Sequence, residues 1–187
     1  MAFDLVLRNA RLADGATMDI AVAGGRIATI APRVAGDGEG VDAGGNFVSP
    51  GLVECHFHLD KSRILDRVAP LADRRATDYM KRTAAVKHTF TVEDVYARAR
   101  ATLEQCLLNG VTHMRTHVEV DPNVGLRGFD AIEQLAKDYV WGIYLQICVF
   151  LQEGWTNVPG AEGIVRVSKS AAPTGGNGTM MRTGLVG

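Results

Sequence analysis

Pro50-Gly51-Leu52-Val53-Glu54-Cys55-His56-Phe57-His58-Leu59-Asp60-Lys61 is the stretch on which the fold reading turns. A Pro-Gly turn opens it, a short apolar run follows, and two histidines stand two residues apart at its end. Side chains at i and i+2 of an extended strand point to the same side. His56 and His58 should therefore aim two imidazoles at one point while Phe57 packs the other way. Two convergent neutral imidazoles are a start for binding a divalent transition metal, although a catalytic ion usually takes three protein ligands or more.

Working outward, residues 3–31 read as a small β-meander. Phe3 to Leu7 alternates, Asp14-Gly15 signals a turn, and Met18 to Ala23 is a second strand. Gly24-Gly25 is a two-residue hairpin connection into Arg26 to Ile30. Gly36 to Gly40 reads as a flexible surface loop and residues 41–46 as another turn. Beyond the histidines the period becomes helical. Residues 71–88 form a charged, Ala-rich helical stretch. Thr91 to Asp94 resembles a capping box and starts an amphipathic helix with Val95, Ala99, Leu103, Cys106 and Leu107 on one face, ending at Asn109-Gly110.

Val111 to Val120 is the next strand. A helix from about Phe129 to Tyr139 buries Ile132, Leu135 and Tyr139, and Ile143 to Phe150 is a nearly continuous apolar strand. Strand, helix, strand, helix, strand implies βαβ crossovers and a parallel sheet. Three strands cannot close a barrel, which needs eight such units and about 250 residues.

Composition narrows the class. The 187 residues suffice for one ordinary domain, 47% are apolar and 22% charged, so the chain is globular. A formal charge of −1 gives no electrostatic reason to expect nucleic acid or an anionic membrane. No apolar run approaches the roughly 18 residues that cross a bilayer, and no signal peptide opens the chain. Cys55, Cys106 and Cys148 lack metal-knuckle spacing and read as small buried hydrophobes in a reducing cytoplasm.

The Pro50–Lys61 segment resembles the first barrel strand of the amidohydrolase superfamily, most like its cytosine deaminase branch. Met114-Arg115-Thr116-His117-Val118-Glu119-Val120-Asp121 and Leu145-Gln146-Ile147-Cys148-Val149-Phe150-Leu151-Gln152-Glu153-Gly154 resemble that branch too, in the same order. The resemblance covers roughly residues 3–160. It implies an α/β fold: residues 1–50 as half of a composite β-sandwich, residues 51–160 as strands one to three of an incomplete (β/α)8 barrel, and 161–187 as an atypical tail, frameshifted or disordered. That tail shows neither helical periodicity nor strand alternation.

The resemblance implies hydrolytic deamination, or related C–N hydrolysis, of a small nitrogen heterocycle such as cytosine or an aminated triazine. His56 and His58 are then ligands of a zinc or iron ion. Gln152 corresponds to the glutamine that hydrogen-bonds the pyrimidine, although Leu151 replaces the proline usual before it. The family completes its site with a histidine on strand five, an aspartate on strand eight, and a histidine and a nearby glutamate that assist the reaction. None has a counterpart here, so catalytic groups are expected beyond residue 187 and metal binding by this fragment is expected to be weak or absent.

Arg115 and His117 share a strand face and, if that face is the lumen, orient groups beside the metal. Asp60 falls on the His58 side and reaches the site rim. Lys61, Glu119 and Asp121 read as solvated, His113 as a core histidine and His88 as a surface or helix-capping group. The competing reading, and for the isolated chain the stronger expectation, is a truncated inactive fragment that pairs its exposed sheet edges with another chain, forms a homo-oligomer through them, or aggregates.

Overall fold

The computed structural model describes residues 2–70, 76–121, 123–150 and 180–182. They fall into two compact units, Met1–Pro50 and Gly51–Gly187.

In the first unit, β1 (Ala2–Arg11), β2 (Thr17–Ala23), β3 (Arg26–Ala31) and β4 (Asp37–Asp42) form one sheet in the order β3-β2-β1-β4. The meander strands pair antiparallel. Gly24 and Gly25 both take positive φ (58° and 70°), as a tight primed hairpin turn requires. The glycine-rich segment expected to be a loop is instead β4, running parallel to β1. A ladder is made by backbone groups, so a segment with few side chains can still pair. A Cβ on Gly38 would stand 2.8 Å from the Phe3 carbonyl oxygen, so glycine there permits close approach rather than flexibility.

The small core of this unit is Val6, Ala21 and Val34, with Asp19 buried beside it. The Asp19 carboxylate accepts from the amides of Val34 (3.0 Å) and Asn9 (3.1 Å) and from Arg8 (3.0 Å). Those two amides, then the Arg8 guanidinium, hold its pKa below the ordinary 3.8 against the opposing effect of burial. The resulting stability is present above pH 3.8 and is lost as pH falls through the lowered folded value. Asp19→Asn is therefore expected to speed amide exchange at Val6 and Ala21 at pH 7, with the difference from the parent closing in strong acid. An undiminished difference at the acid end would contradict this account.

In the second unit, β5 (Leu52–Phe57), β6 (Val111–Glu119) and β7 (Tyr144–Phe150) pair parallel, and the short β8 (Met180–Arg182) pairs antiparallel with β7. The tail was expected to lack strand, so β8 is a departure; the remainder of 151–187 lies outside the described residues. The connections carry α1 (Ala76–Val86), α2 (Val92–Leu108) and α3 (Arg127–Asp138), with 3₁₀ turns at Leu59–Lys61, Leu65–Arg67 and Lys87–Thr89. Thr91 caps α2 by accepting from the Asp94 amide (3.2 Å), and Gly110 leaves the helix at φ 84°.

Val95, Ala99 and Leu103 of α2 and Ile132, Leu135 and Tyr139 of the α3 segment bury against Met114, Val118 and Ile147 of the sheet. Cys106 and Leu107 only flank that core. Cys148 is buried and Cys106 half-buried, but Cys55 is exposed on β5, which among the described residues is the terminal strand of this sheet. Gly51 enters β5 hard against Thr112, whose side chain a Cβ would overlap.

Candidate functional site

Three histidines, one on each of two neighbouring strands and one just past the end of the first, meet at the C-terminal end of the parallel sheet. The β5–β6 register slips between Glu54↔Met114 and Phe57↔Thr116, so β5 bulges at Cys55 and His56. The Glu54 side chain supports the bulge by accepting from the His56 amide (3.1 Å). β5 ends at Phe57, so His58 lies just past the strand, at the head of the Leu59–Lys61 turn with φ −129° and ψ 77°. The expectation of one regular strand through both histidines is corrected here. Even so, Phe57 packs on the core, and the His56 and His58 rings lie 5.4 Å apart between centroids.

His117 of β6 completes the group. Its ring stacks on His56 at 4.2 Å and 25° and lies 5.6 Å from His58. Phe150, the last residue of β7, sets its ring edge-wise to His58 at 5.3 Å and to His117 at 6.5 Å. Burial, then the nearby Lys61 charge and the other two imidazoles, lowers the His58 pKa to about 4. His117 is lowered by burial and by His56. His58 is thus neutral at pH 7, the form in which an imidazole ligates a metal.

Nδ1 of His58 and Nδ1 of His117 are buried with no hydrogen-bond partner among the described residues. Buried nitrogens left unpaired are costly, and their chemistry suits a bound cation. The set is incomplete as a metal cage, however: no group of three or more His, Cys, Asp or Glu among the described residues is arranged to hold an ion. The residues fit part of a coordination sphere.

Arg115 lies on β6 before His117, and its Nε donates to Gln146 (2.8 Å). Asp60 is buried, accepting the Glu119 amide (3.0 Å) with one oxygen while the other has no hydrogen-bond partner among the described residues. Burial pushes its pKa up to about 6, against the pull of that amide, Lys61 and Arg98. Gln152 lies outside the described residues. His88 is exposed in the Lys87–Thr89 turn, whereas His113, expected in the core, is exposed at the start of β6 because its strand face is not the one the helices cover.

The largest departure concerns the charges expected to be solvated. Glu119 and Asp121 are 3% and 0% exposed, and Lys87, which no motif singled out, is 3%. Lys87 Nζ bridges Glu119 (2.9 Å) and Asp121 (2.6 Å), and the second oxygen of Glu119 takes the Lys61 ammonium at 2.5 Å. Lys61 also sits over the Phe150 ring, 4.7 Å from its centroid. Arg98 of α2 donates to the carbonyls of Asp60 (3.1 Å) and Ser62 (2.5 Å). This rim of charge packs around the turn that carries His58. Its one sequence signal is a pair of carboxylates, i and i+2, where β6 ends.

An open cleft of about 520 Å³ beside β5 is lined by His56, Phe57, His58, Ser62, Arg63, Thr102 and Gln105. Among the described residues, no helix is long and apolar enough to cross a membrane.

A parallel α/β sheet with histidines convergent at its C-terminal end is an architecture that places catalytic groups at strand ends. The model of the amidohydrolase family matches residues 39–142, and this chain belongs to that family. It is 30% identical over 176 residues to the N-isopropylammelide isopropyl amidohydrolase of Pseudomonas sp. strain ADP, covering 89% of this chain and 43% of that protein. Among solved structures it is similar to 5-methylcytosine deaminase from Klebsiella pneumoniae (32% identity, TM-score 0.74, covering 88% of this chain and 41% of that one). It is also similar to N-isopropylammelide isopropylaminohydrolase from Burkholderia multivorans (28%, TM-score 0.72, 87% and 42%). The chain thus spans less than half the length of each.

Proposed function

We propose that these residues form the first part of a metal-dependent amidohydrolase site for hydrolysis of a C–N bond on a small nitrogen heterocycle, cytosine-like or an aminated triazine. The observation that carries the reading is the convergence of His56 and His58, with His58 neutral, where β5 ends. Support for the substrate class comes from the relatives, whose names describe removal of an amino group from 5-methylcytosine and of an isopropylamino group from N-isopropylammelide.

In this reading the fold is the opening portion of a (β/α)8 barrel. His56 and His58 hold a zinc or iron ion, which supplies Lewis acidity when bound. His117 backs the His56 ring, Arg115 and Asp60 shape the surroundings, and Gln152 hydrogen-bonds the ring of the substrate. Groups that move protons come from further strands.

The parent chain is expected to bind Co²⁺, used as a spectroscopic probe, and His56→Ala or His58→Ala to weaken that binding more than about tenfold. Equal affinity in all three would end the metal reading. A second reading, that the site works only when other strands complete the sheet, is favoured by the outer edge of β5. Among the described residues no strand pairs with it, and Leu52 and Val53 there are 56% and 69% exposed. In both, the pure monomer releases no ammonia from cytosine, because the proton-moving groups lie on other strands; sedimentation shows whether copies associate at the β5 edge, and turnover by a monomer would refute the second.

A further inference from the structure

The rim of buried charge has no part in the proposed chemistry, and stability alone does not explain it. A lysine is almost never fully buried, and an apolar replacement of a buried ion network is often neutral or stabilising. Its connectivity, by contrast, is specific. Lys87 stands at the far end of the long connection between β5 and α2, yet its Nζ reaches Glu119 and Asp121 at the end of β6. Asp121 is itself held, accepting from the amides of Asn123 (2.6 Å) and Val124 (3.0 Å). Lys87 therefore bridges a fixed carboxylate and Glu119.

Glu119 in turn grips the turn after β5 twice. Its carboxylate takes Lys61 (2.5 Å) and its amide donates to Asp60 (3.0 Å). The Leu59 amide of the same turn donates to Thr116 Oγ1 (3.0 Å). His58 is the residue that heads this turn.

We infer that Lys87 is a positioning residue for His58: its bridge sets the Glu119 carboxylate so that it captures Lys61, and this fixes the turn that aims the imidazole. The functional weight of this role rests on the metal reading above; the positioning itself is testable without metal.

The experiment is native-state amide hydrogen exchange on the metal-free full chain, with Co²⁺ titration as a second arm. In Lys87→Met, the amides of Leu59, Lys61 and Ser62 should exchange about tenfold faster or more, while those of Val95 and Leu103 in α2 keep the parent's rates. Co²⁺ affinity should fall by about tenfold, the size expected for loss of a group that orients a ligand. Lys61→Met, which cuts the next link, should reproduce both effects. The charge-balanced Lys87→Met/Asp121→Asn repeats the comparison should the single variant not fold.

Turn amides that keep the parent's rate would overturn the inference. So would acceleration spread evenly over the unit, or the failure of both Lys87 variants to fold, since either marks Lys87 as a general structural residue. A parent chain with no His56-dependent Co²⁺ binding would remove the metal reading and leave the exchange arm to decide the positioning role.

Discussion

Glu119→Ala is expected to lower the unfolding free energy of the second unit by about 3 kcal/mol, the low end of the cost of removing one partner from a buried ion network, because Asp121 still holds Lys87. The reason is position. The Glu119 carboxylate lies between two ammonium groups, Lys61 at 2.5 Å and Lys87 at 2.9 Å, whose side chains are only 13% and 4% exposed. Urea unfolding of parent and variant at one pH, with an unchanged slope, measures the loss. A change under about 1 kcal/mol would place Glu119 among ordinary surface ion pairs and refute the buried-network account. A surface pair elsewhere gives the control: Lys137 and Glu133 on α3 stand 3.2 Å apart with side chains 64% and 36% exposed, and Lys137→Ala should change stability by less than about 0.5 kcal/mol.

Leu103→Ala should cost about 2–5 kcal/mol, and Leu108→Ala on the same helix less than about 0.5. Leu103 is fully buried in the cluster that joins α2, α3 and the sheet, whereas Leu108 is 89% exposed at the helix end. Truncation at the first opens a cavity in close-packed surroundings; truncation at the second removes atoms already in water. Chemical denaturation of both variants against the parent tests the pair. Equal losses would mean that the α2 face is not the one facing the sheet.

The sequence was legible wherever one local pattern decided the outcome. The α2 helix announced itself through Thr91 and its apolar face, and α3 through Ile132, Leu135 and Tyr139, because helical period and capping are written within a few residues. The meander strands and the Gly24-Gly25 turn were equally local. β4 was missed because Gly38 and Gly40 leave no side-chain alternation to read; its pairing with β1 is a matter of backbone alone.

The bulge in β5 was missed for a related reason, since register belongs to the pair of strands and not to either one. The charge rim was illegible in a stronger sense. Lys87 lies 32 residues from Glu119 and 34 from Asp121, and no periodicity links them. At the candidate site, the His-x-His spacing brought out His56 and His58. The stacking of His117 on His56 needed the β5–β6 pairing before it could be seen.

At the root of β5, the missing carbon of Gly51 has a reach of its own. Thr112 fills the space that any side chain there would claim, and the β5–β6 ladder begins immediately afterwards, at Leu52↔Val111. Even a single methyl group here would overlap Thr112 and force one of the two strands to shift at the point where they first pair. The bare glycine thus belongs to what lets β5 lie against β6, the pairing that brings His56 beside His117.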